Sequence, residues 1–135
     1  MLPRPVPGLV VRYSYLWLDE HRRGREEGVK DRPCAIVLAV DGDADGPVVT
    51  VLPITHAAPR DLGTAIEIPP ETKRRLGLDE ERSWIVLTEA NRFVWPGPDL
   101  RPSRRGDPSS VAFGPLPYAL FETVRRRFLA ALRQR

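Results

Sequence analysis

Alternating and continuous apolar runs in the first half of the chain predict three β-strands. Residues 9–18 alternate between apolar and polar positions, which is typical of a strand. One face of this stretch carries Val11, Tyr13, Tyr15 and Trp17. Residues 34–40 form a continuous apolar run, which favours a strand buried on both faces, and residues 48–54 form a further strand. Because Asp and Gly fill the gap between them, the second and third strands are expected to form a hairpin.

The middle of the chain predicts shorter elements. Residues 64–68 alternate and predict a short strand, and residues 69–76 predict a short helix that opens on two prolines and a glutamate. Gly77 suits the C-terminal cap of that helix. Residues 83–88 predict another strand, and residues 92–95 are expected to extend it or pair with it.

The C-terminal part combines an irregular loop with one amphipathic helix. Residues 96–108 hold four prolines and two glycines, which indicates a loop, whereas residues 116–132 repeat apolar side chains at helical spacing. Five or six short strands with a short internal helix predict a mainly β fold, a small β-barrel with the C-terminal α-helix covering one opening. The 135 residues suit a single domain over positions 1–135.

Composition narrows the class of protein. With 41% apolar and 29% charged residues, and no apolar run near the roughly 20 residues of a membrane span, the chain is expected to be globular and cytoplasmic. The start of the chain has no apolar segment of the kind that signal peptides carry. Cys34, the single cysteine, lies in an apolar run and is expected to be a buried thiol. Two histidines and one cysteine are too few for a clustered zinc site, so no metal is expected.

Positive charge is concentrated at the C-terminal end. The net charge is +3, and residues 101–135 carry eight basic but only two acidic side chains. A basic segment on a nearly neutral body is compatible with a polyanion or an acidic partner. The alternative is a solvated helix face, which charge alone favours.

Five short segments, taken in order, carry a family resemblance. They are Pro7-Gly8 before a strand, KDRPCAIV at 30–37, VTVLPIT at 49–55, SWIVLTEANR at 83–92, and GPL at 114–116. Together they resemble the MazF/PemK (Kid) family of toxin–antitoxin ribonucleases. The chain departs from the family pattern at Leu9, which replaces an Asp, and at His56, where members often carry a small residue. Residues 19–31, a charged stretch that predicts an exposed loop, also make the first loop longer than is typical. The chain therefore resembles a divergent branch.

The resemblance implies a fold, an activity and partners. The fold is a small SH3-like/CcdB-like β-barrel. The activity is metal-independent and cofactor-independent cleavage of single-stranded RNA, in which the ribose 2′-hydroxyl attacks the adjacent phosphorus and leaves a cyclic phosphate and a 5′-hydroxyl. Such a protein is expected to be a homodimer that binds RNA across its interface and is neutralised by a cognate antitoxin.

Two catalytic candidates, Arg32 and Thr55, lie in the matched segments, and a third, His56, directly follows one of them. Arg32 precedes Pro33 and is expected at a loop-to-strand junction, where its guanidinium would contact phosphate; the alternative is a surface ion pair with Asp31 or Glu27. Thr55 would donate a hydrogen bond to a phosphate oxygen, or else cap its own turn. His56 is suited to proton transfer near neutral pH, or is a loop residue without a role.

Six further residues are candidates for RNA binding. The first loop contributes Arg22, Arg23, Arg25 and Lys30, and the Glu-x-x-Arg segment at residues 89–92 contributes Asn91 and Arg92. Cations of the first loop would clamp a single strand of RNA. Arg92 has the alternative of an ion pair with Glu89 that braces the rim of the barrel.

Two other functions remain open. The first is a toxin of the same barrel class that binds a protein target such as DNA gyrase. The second is a catalytically silent binding module that has kept the fold. RNA cleavage by the purified protein in the presence of a chelator separates both from the ribonuclease.

Overall fold

A computed structural model describes residues 2–15 and 30–134 as a mainly β structure. The strands of this part are β1 (Leu9–Tyr15), β2 (Lys30–Val40), β3 (Val48–Thr55), β4 (Ala65–Glu67), β5 (Trp84–Val86), β6 (Asn91–Val94) and β7 (Ala112–Pro115). The helices are α1 (Pro70–Leu76) and α2 (Tyr118–Arg133), with 3₁₀ turns at Leu62–Thr64 and Pro108–Val111. The predicted mainly β fold with a C-terminal helix is confirmed.

The strands form one antiparallel sheet. The order of hydrogen-bonded neighbours is β4-β5-β3-β2-β1-β7, and β6 pairs with β3 beside this path. Among the described residues this path has two ends, at β4 and β7, so the hydrogen bonding does not close into the expected barrel. The described part also has seven strands rather than five or six, because residues 112–115 pair with β1.

β3 is shared between two partners along one edge. Its first half, Val48–Val51, pairs with β6, and its last two residues, Ile54 and Thr55, pair with β5. The expectation that residues 92–95 extend or pair with the strand at 83–88 was therefore wrong, since β6 pairs with β3 instead. Pro53, which has no N–H to donate, lies between the two stretches.

The three central strands bury both of their faces. Alternate side chains of β1, β2 and β3 belong to different apolar clusters, as the period of two along a strand requires. The first cluster includes Val10, Ala35, Val37, Leu52, Ile54, Leu76, Val124 and Phe128. The second includes Val11, Tyr13, Tyr15, Cys34, Ile36, Val49, Val51 and Trp95. The predicted shared face of Val11, Tyr13 and Tyr15 is confirmed, and Trp17 lies outside the described residues.

The two helices cover the same face of the sheet. Leu76 of α1 and both Val124 and Phe128 of α2 belong to the first cluster. Tyr118, at the start of α2, is 78% exposed, whereas Leu120 and Phe121 pack against the first cluster, so the helix turns one apolar side inward.

Candidate active site

A cavity of about 350 Å³, with both polar and apolar side chains in its wall, opens where three parts of the chain meet. Its walls come from residues 31–33 at the start of β2, residues 54–57 at the end of β3, and Lys73 with the loop after α1. All three catalytic candidates, Arg32, Thr55 and His56, line this cavity.

The register of the central hairpin explains why Arg32 and Thr55 converge. Cys34 pairs with Pro53 in the antiparallel ladder of β2 and β3. Continuing that register by two residues puts Arg32 across from Thr55. Arg32 lies inside β2, paired with Tyr13 of β1, and not at the loop-to-strand junction that the sequence suggested. The reason is that the ladder with β1 extends β2 back to Lys30 and orders this segment before the proline.

Thr55 has a partly local role. Its Oγ1 accepts a hydrogen bond from the N–H of Ala57 at 3.1 Å. The hydroxyl therefore caps its own turn, which was one of the two roles that the sequence suggested. A hydroxyl that accepts in this way keeps its own hydrogen for donation. The capping bond therefore holds the oxygen at the cavity without using the donor.

Asp31 forms ion pairs with two arginines, one of which lies on β1. Its carboxylate lies 3.7 Å from a guanidinium nitrogen of Arg12 and 3.9 Å from one of Arg101. Arg101 also lies 3.9 Å from Asp99. These pairs balance the acidic residue that precedes Arg32 on the cavity wall.

His56 lies between two carboxylates. Nε2 is 2.8 Å from Oδ2 of Asp79, and Nδ1 is 3.6 Å from Oε2 of Glu81. The His56 side chain is 45% exposed, so its ring is reachable from solvent. The arrangement orients an imidazole on the cavity wall, where it can exchange a proton with a bound ligand.

Lys73 is a buried cation on this wall. Only 4% of the residue is exposed. Its Nζ donates to Oδ1 of Asp79 at 2.6 Å, to Oγ of Ser83 at 2.7 Å, and to the carbonyl oxygen of Glu81. Hydrogen bonding and charge from Lys73 hold the pKa of the Asp79 carboxyl below its usual value, so Asp79 remains an anion at neutral pH.

Lys73, Asp79 and Ser83 belong to the site, although no sequence motif indicated them. The available signal was position, since Lys73 lies three residues before Leu76 and therefore shares its inward face. The chain is rich in arginine and has only two lysines. The position of Lys73 on the apolar face of the predicted helix could therefore have indicated a buried, functional lysine.

The cavity wall includes neither of the two RNA-binding candidates whose side chains the structure describes, Asn91 and Arg92. Asn91 and Arg92 lie on β6, paired with Val51 and Thr50, and are absent from the cavity wall. Lys30 is described only as the first residue of β2. The candidates Arg22, Arg23 and Arg25 fall outside the described residues.

One group in the described part has the composition of a metal site. Ligand atoms of His56, Asp79 and Glu81 lie within 4.8 Å of one another. However, Asp79 is already paired with both His56 and the ammonium of Lys73, and that ammonium opposes a second cation there. The chemistry of this donor set therefore fits a hydrogen-bonded network better than a resident metal.

The fold and the cavity together define a small, mainly β protein with a mixed-charge site that offers a guanidinium, a hydroxyl and an imidazole. The family model described as PemK-like, MazF-like toxin of type II toxin-antitoxin system matches residues 14–93. The chain belongs to this family, and the matched stretch contains the whole cavity wall and the first three residues of β6. No curated protein sequence matches the chain. No helix among residues 2–15 and 30–134 is long and apolar enough to cross a membrane.

Proposed function

We propose that this toxin is an endoribonuclease that cleaves single-stranded RNA by attack of the ribose 2′-hydroxyl on the adjacent phosphorus. Members of the family are typically endoribonucleases, and a cognate antitoxin partner is implied by the family. The observation that carries the proposal is the convergence of Arg32, Thr55 and His56 on one cavity from two different strands and the loop that follows.

The reaction needs three catalytic roles from the protein: a general base, a general acid and a group that stabilises negative charge. The O2′–P bond forms while the P–O5′ bond breaks, the proton of the 2′-hydroxyl leaves to a base, and the O5′ leaving group takes up a proton from an acid. Negative charge grows on the non-bridging oxygens of the phosphorane. The products are a 2′,3′-cyclic phosphate and a free 5′-hydroxyl.

Each candidate side chain suits one of these catalytic roles. The guanidinium of Arg32 can bind two phosphate oxygens in a fork and stabilise the phosphorane. The Thr55 hydroxyl keeps its hydrogen for a phosphate oxygen, because its lone pair accepts the N–H of Ala57. His56 can carry one of the two protons. Because the 2′-hydroxyl of the substrate is the nucleophile, the proposed reaction needs no metal-bound hydroxide as nucleophile.

Arg32→Ala is the sharpest test of the proposal. Loss of the phosphate-binding cation is expected to lower the cleavage rate at least about 100-fold, comparable with removal of one stabilising donor from an oxyanion site. The measurement is cleavage of a 5′-labelled RNA in the presence of EDTA, with identification of the cyclic phosphate. A matched substrate with 2′-deoxyribose at the cleaved position should remain intact.

Arg104→Ala is the control for general loss of charge, because Arg104 is exposed and pairs locally with Asp107. It is expected to cleave at the parent rate. Circular dichroism should show both variants folded. Unchanged cleavage by folded Arg32→Ala would refute the assignment, and DNA breakage that depends on gyrase without RNA cleavage would favour a protein target.

The expected homodimer and the placement of RNA across its interface stay predictions. We propose that the antitoxin blocks RNA by covering the same cavity, since a neutralising partner must deny access to the reacting groups. Light scattering of the purified toxin tests for the homodimer. Protection of the His56 side chain on addition of antitoxin tests whether the antitoxin covers the cavity.

A further inference from the structure

The feature that the proposed reaction leaves unused is the buried ammonium of Lys73. Burial of a charged group is unfavourable unless partners compensate it, and Lys73 has an acceptor for each of its three hydrogens. Because all three donors are used within the protein, Lys73 has none left for substrate. Any effect that it has on the reaction must pass through one of its partners.

Asp79 is the partner that connects Lys73 to the cavity. One oxygen, Oδ1, accepts from Lys73 at 2.6 Å, and the other, Oδ2, lies 2.8 Å from Nε2 of His56. A single carboxylate thus joins a buried cation in α1 to an imidazole at the end of β3.

We propose that Lys73 and Asp79 are positioning residues that fix the ring of His56 with a hydrogen on Nε2, so that Nδ1 is the nitrogen that exchanges a proton with RNA. This inference rests on the proposed ribonuclease function for its consequence, and on the geometry of the three side chains for the placement of the hydrogen.

The hydrogen is assigned by the acceptor character of Asp79. An ionised carboxylate can only accept hydrogen bonds, so the ring nitrogen that faces it at 2.8 Å must carry the hydrogen. In the neutral ring the lone pair is then on Nδ1. The same logic holds a catalytic imidazole in one tautomer in the Ser-His-Asp triad.

Glu81 leaves Nδ1 available. The distance of 3.6 Å from Nδ1 to Oε2 exceeds a normal hydrogen bond, and the Glu81 side chain is 72% exposed, so it can move aside. The other charged groups on the cavity wall are Asp31, Arg32 and Lys73. Asp31 is paired with arginines and Lys73 with its three acceptors.

The first experiment is kinetic and uses Asp79→Asn in the full-length protein. The variant keeps the shape of the side chain and an oxygen for Lys73, but loses the charge that holds the ring. We expect kcat to fall by about 10- to 100-fold with little change in KM, and the pH profile of kcat to change. Glu80→Gln is the matched control, because Glu80 lies on the same loop outside the cavity wall, and it should behave like the parent.

The second experiment needs no RNA. In a His21→Gln background only one histidine remains, and ¹⁵N NMR of its ring at high pH reports which nitrogen carries the hydrogen. We expect Nε2–H alone in the parent background and a mixture of tautomers after Asp79→Ala. The same tautomer ratio in both proteins, or hydrogen on Nδ1 with Asp79 intact, would overturn the inference.

Lys73→Gln completes the set, since it keeps hydrogen-bond donors but removes the charge. If it folds, kcat should fall and its pH profile should move in the same direction as that of Asp79→Asn; a folded variant with the parent profile would remove Lys73 from the inference. An inactive parent protein whose ring is still fixed by Asp79 would refute the ribonuclease proposal alone.

Discussion

Burial decides which side chains at the centre of the sheet can take part in chemistry. Cys34 was predicted to be a buried thiol, and it is fully buried on β2, two residues from Arg32. Burial is the main cause that raises the pKa of its thiol far above the usual value, as it does for the hydroxyl of Tyr15. Both groups therefore remain protonated and unreactive at neutral pH, and the reactive candidates are those on the cavity wall.

His56→Ala tests the role of the imidazole itself. The side chain is 45% exposed and packs in no apolar cluster, so the variant should fold normally. Loss of one proton-transfer group is expected to lower kcat by about 100-fold or more and to change the pH dependence of cleavage. Steady-state cleavage rates between pH 5 and pH 9 measure both effects, with the ranges chosen to bracket an ordinary imidazole pKa of about 6.5.

His21→Ala is the natural comparison, because the chain has only these two histidines. It is expected to keep the parent pH profile. If His56→Ala has the parent rate and profile, His56 is a loop residue without a role; if the change occurs only in the His21 variant, the proton carrier lies in the first loop.

At the scale of elements, the cap of α1 builds half of the site. Gly77 adopts a positive φ of 71°, and the N–H groups of Gly77 and Leu78 bond back to the carbonyls of Arg74 and Lys73. This arrangement is a Schellman motif, which turns the chain sharply at the end of the helix. The turn returns the following loop along the helix, and Asp79 reaches the ammonium of Lys73 as a result.

The elements that sequence predicts are those whose signal is local. Alternation marks β1, apolar runs mark β2 and β3, and helical spacing marks α2. Pro at the start with Gly at the end marks α1. All of these patterns follow from backbone geometry and burial. β7 was missed, since its sequence AFGP holds a glycine and a proline that weaken a strand pattern. It becomes a strand only because β1 supplies its partner.

The residues of the site fall into the same two groups, those that the sequence indicated and those that only the folded chain brings together. The resemblance to known toxins pointed to Arg32 and Thr55, and the chemistry of an imidazole pointed to His56. The hairpin register explains why Arg32 and Thr55 meet. Lys73 and Ser83 are ten residues apart and meet only after the chain has turned at Gly77. No spacing rule within a single element predicts that contact, so this half of the site becomes visible only in three dimensions.

Asp107 offers a pH test of one local element. It caps the 3₁₀ turn Pro108–Val111, where its carboxylate accepts from the Ser109 hydroxyl at 2.6 Å and from Arg104 at 2.8 Å. The Ser109 hydrogen bond is the main cause that lowers the pKa of Asp107 to about 2. A carboxyl with a lowered pKa in the folded state stabilises the fold above its unfolded pKa of about 3.9, and that stabilisation is lost as the pH falls toward 2.

Asp107→Asn should therefore be less stable than the parent at pH 7, by an amount that shrinks between about pH 4 and pH 2. Thermal unfolding of both proteins at several pH values gives the comparison. Equal melting temperatures at pH 7, or a difference that persists unchanged at pH 2, would contradict the capping role.

At the scale of the whole molecule, one sheet connects two apolar clusters. Neighbouring residues of β2 alternate between them, as Cys34 and Ile36 face one and Ala35 and Val37 face the other. Loss of packing on either face therefore releases the strands that carry the opposite face. The described part of the chain is expected to unfold as one cooperative unit, although α2 covers only one side.

Phe128→Ala tests this coupling. The side chain is 3% exposed in the cluster that α2 shares with the sheet, so truncation should lower the free energy of unfolding by about 3–5 kcal/mol. Leu132→Ala, at a residue 40% exposed on the same helix, should change it by less than about 0.5 kcal/mol. In urea titrations, circular dichroism follows α2 and tryptophan fluorescence includes Trp95 on the opposite face. Because the sheet joins both clusters, the two signals should shift together, whereas loss of the helical signal before the fluorescence change would show that α2 detaches by itself.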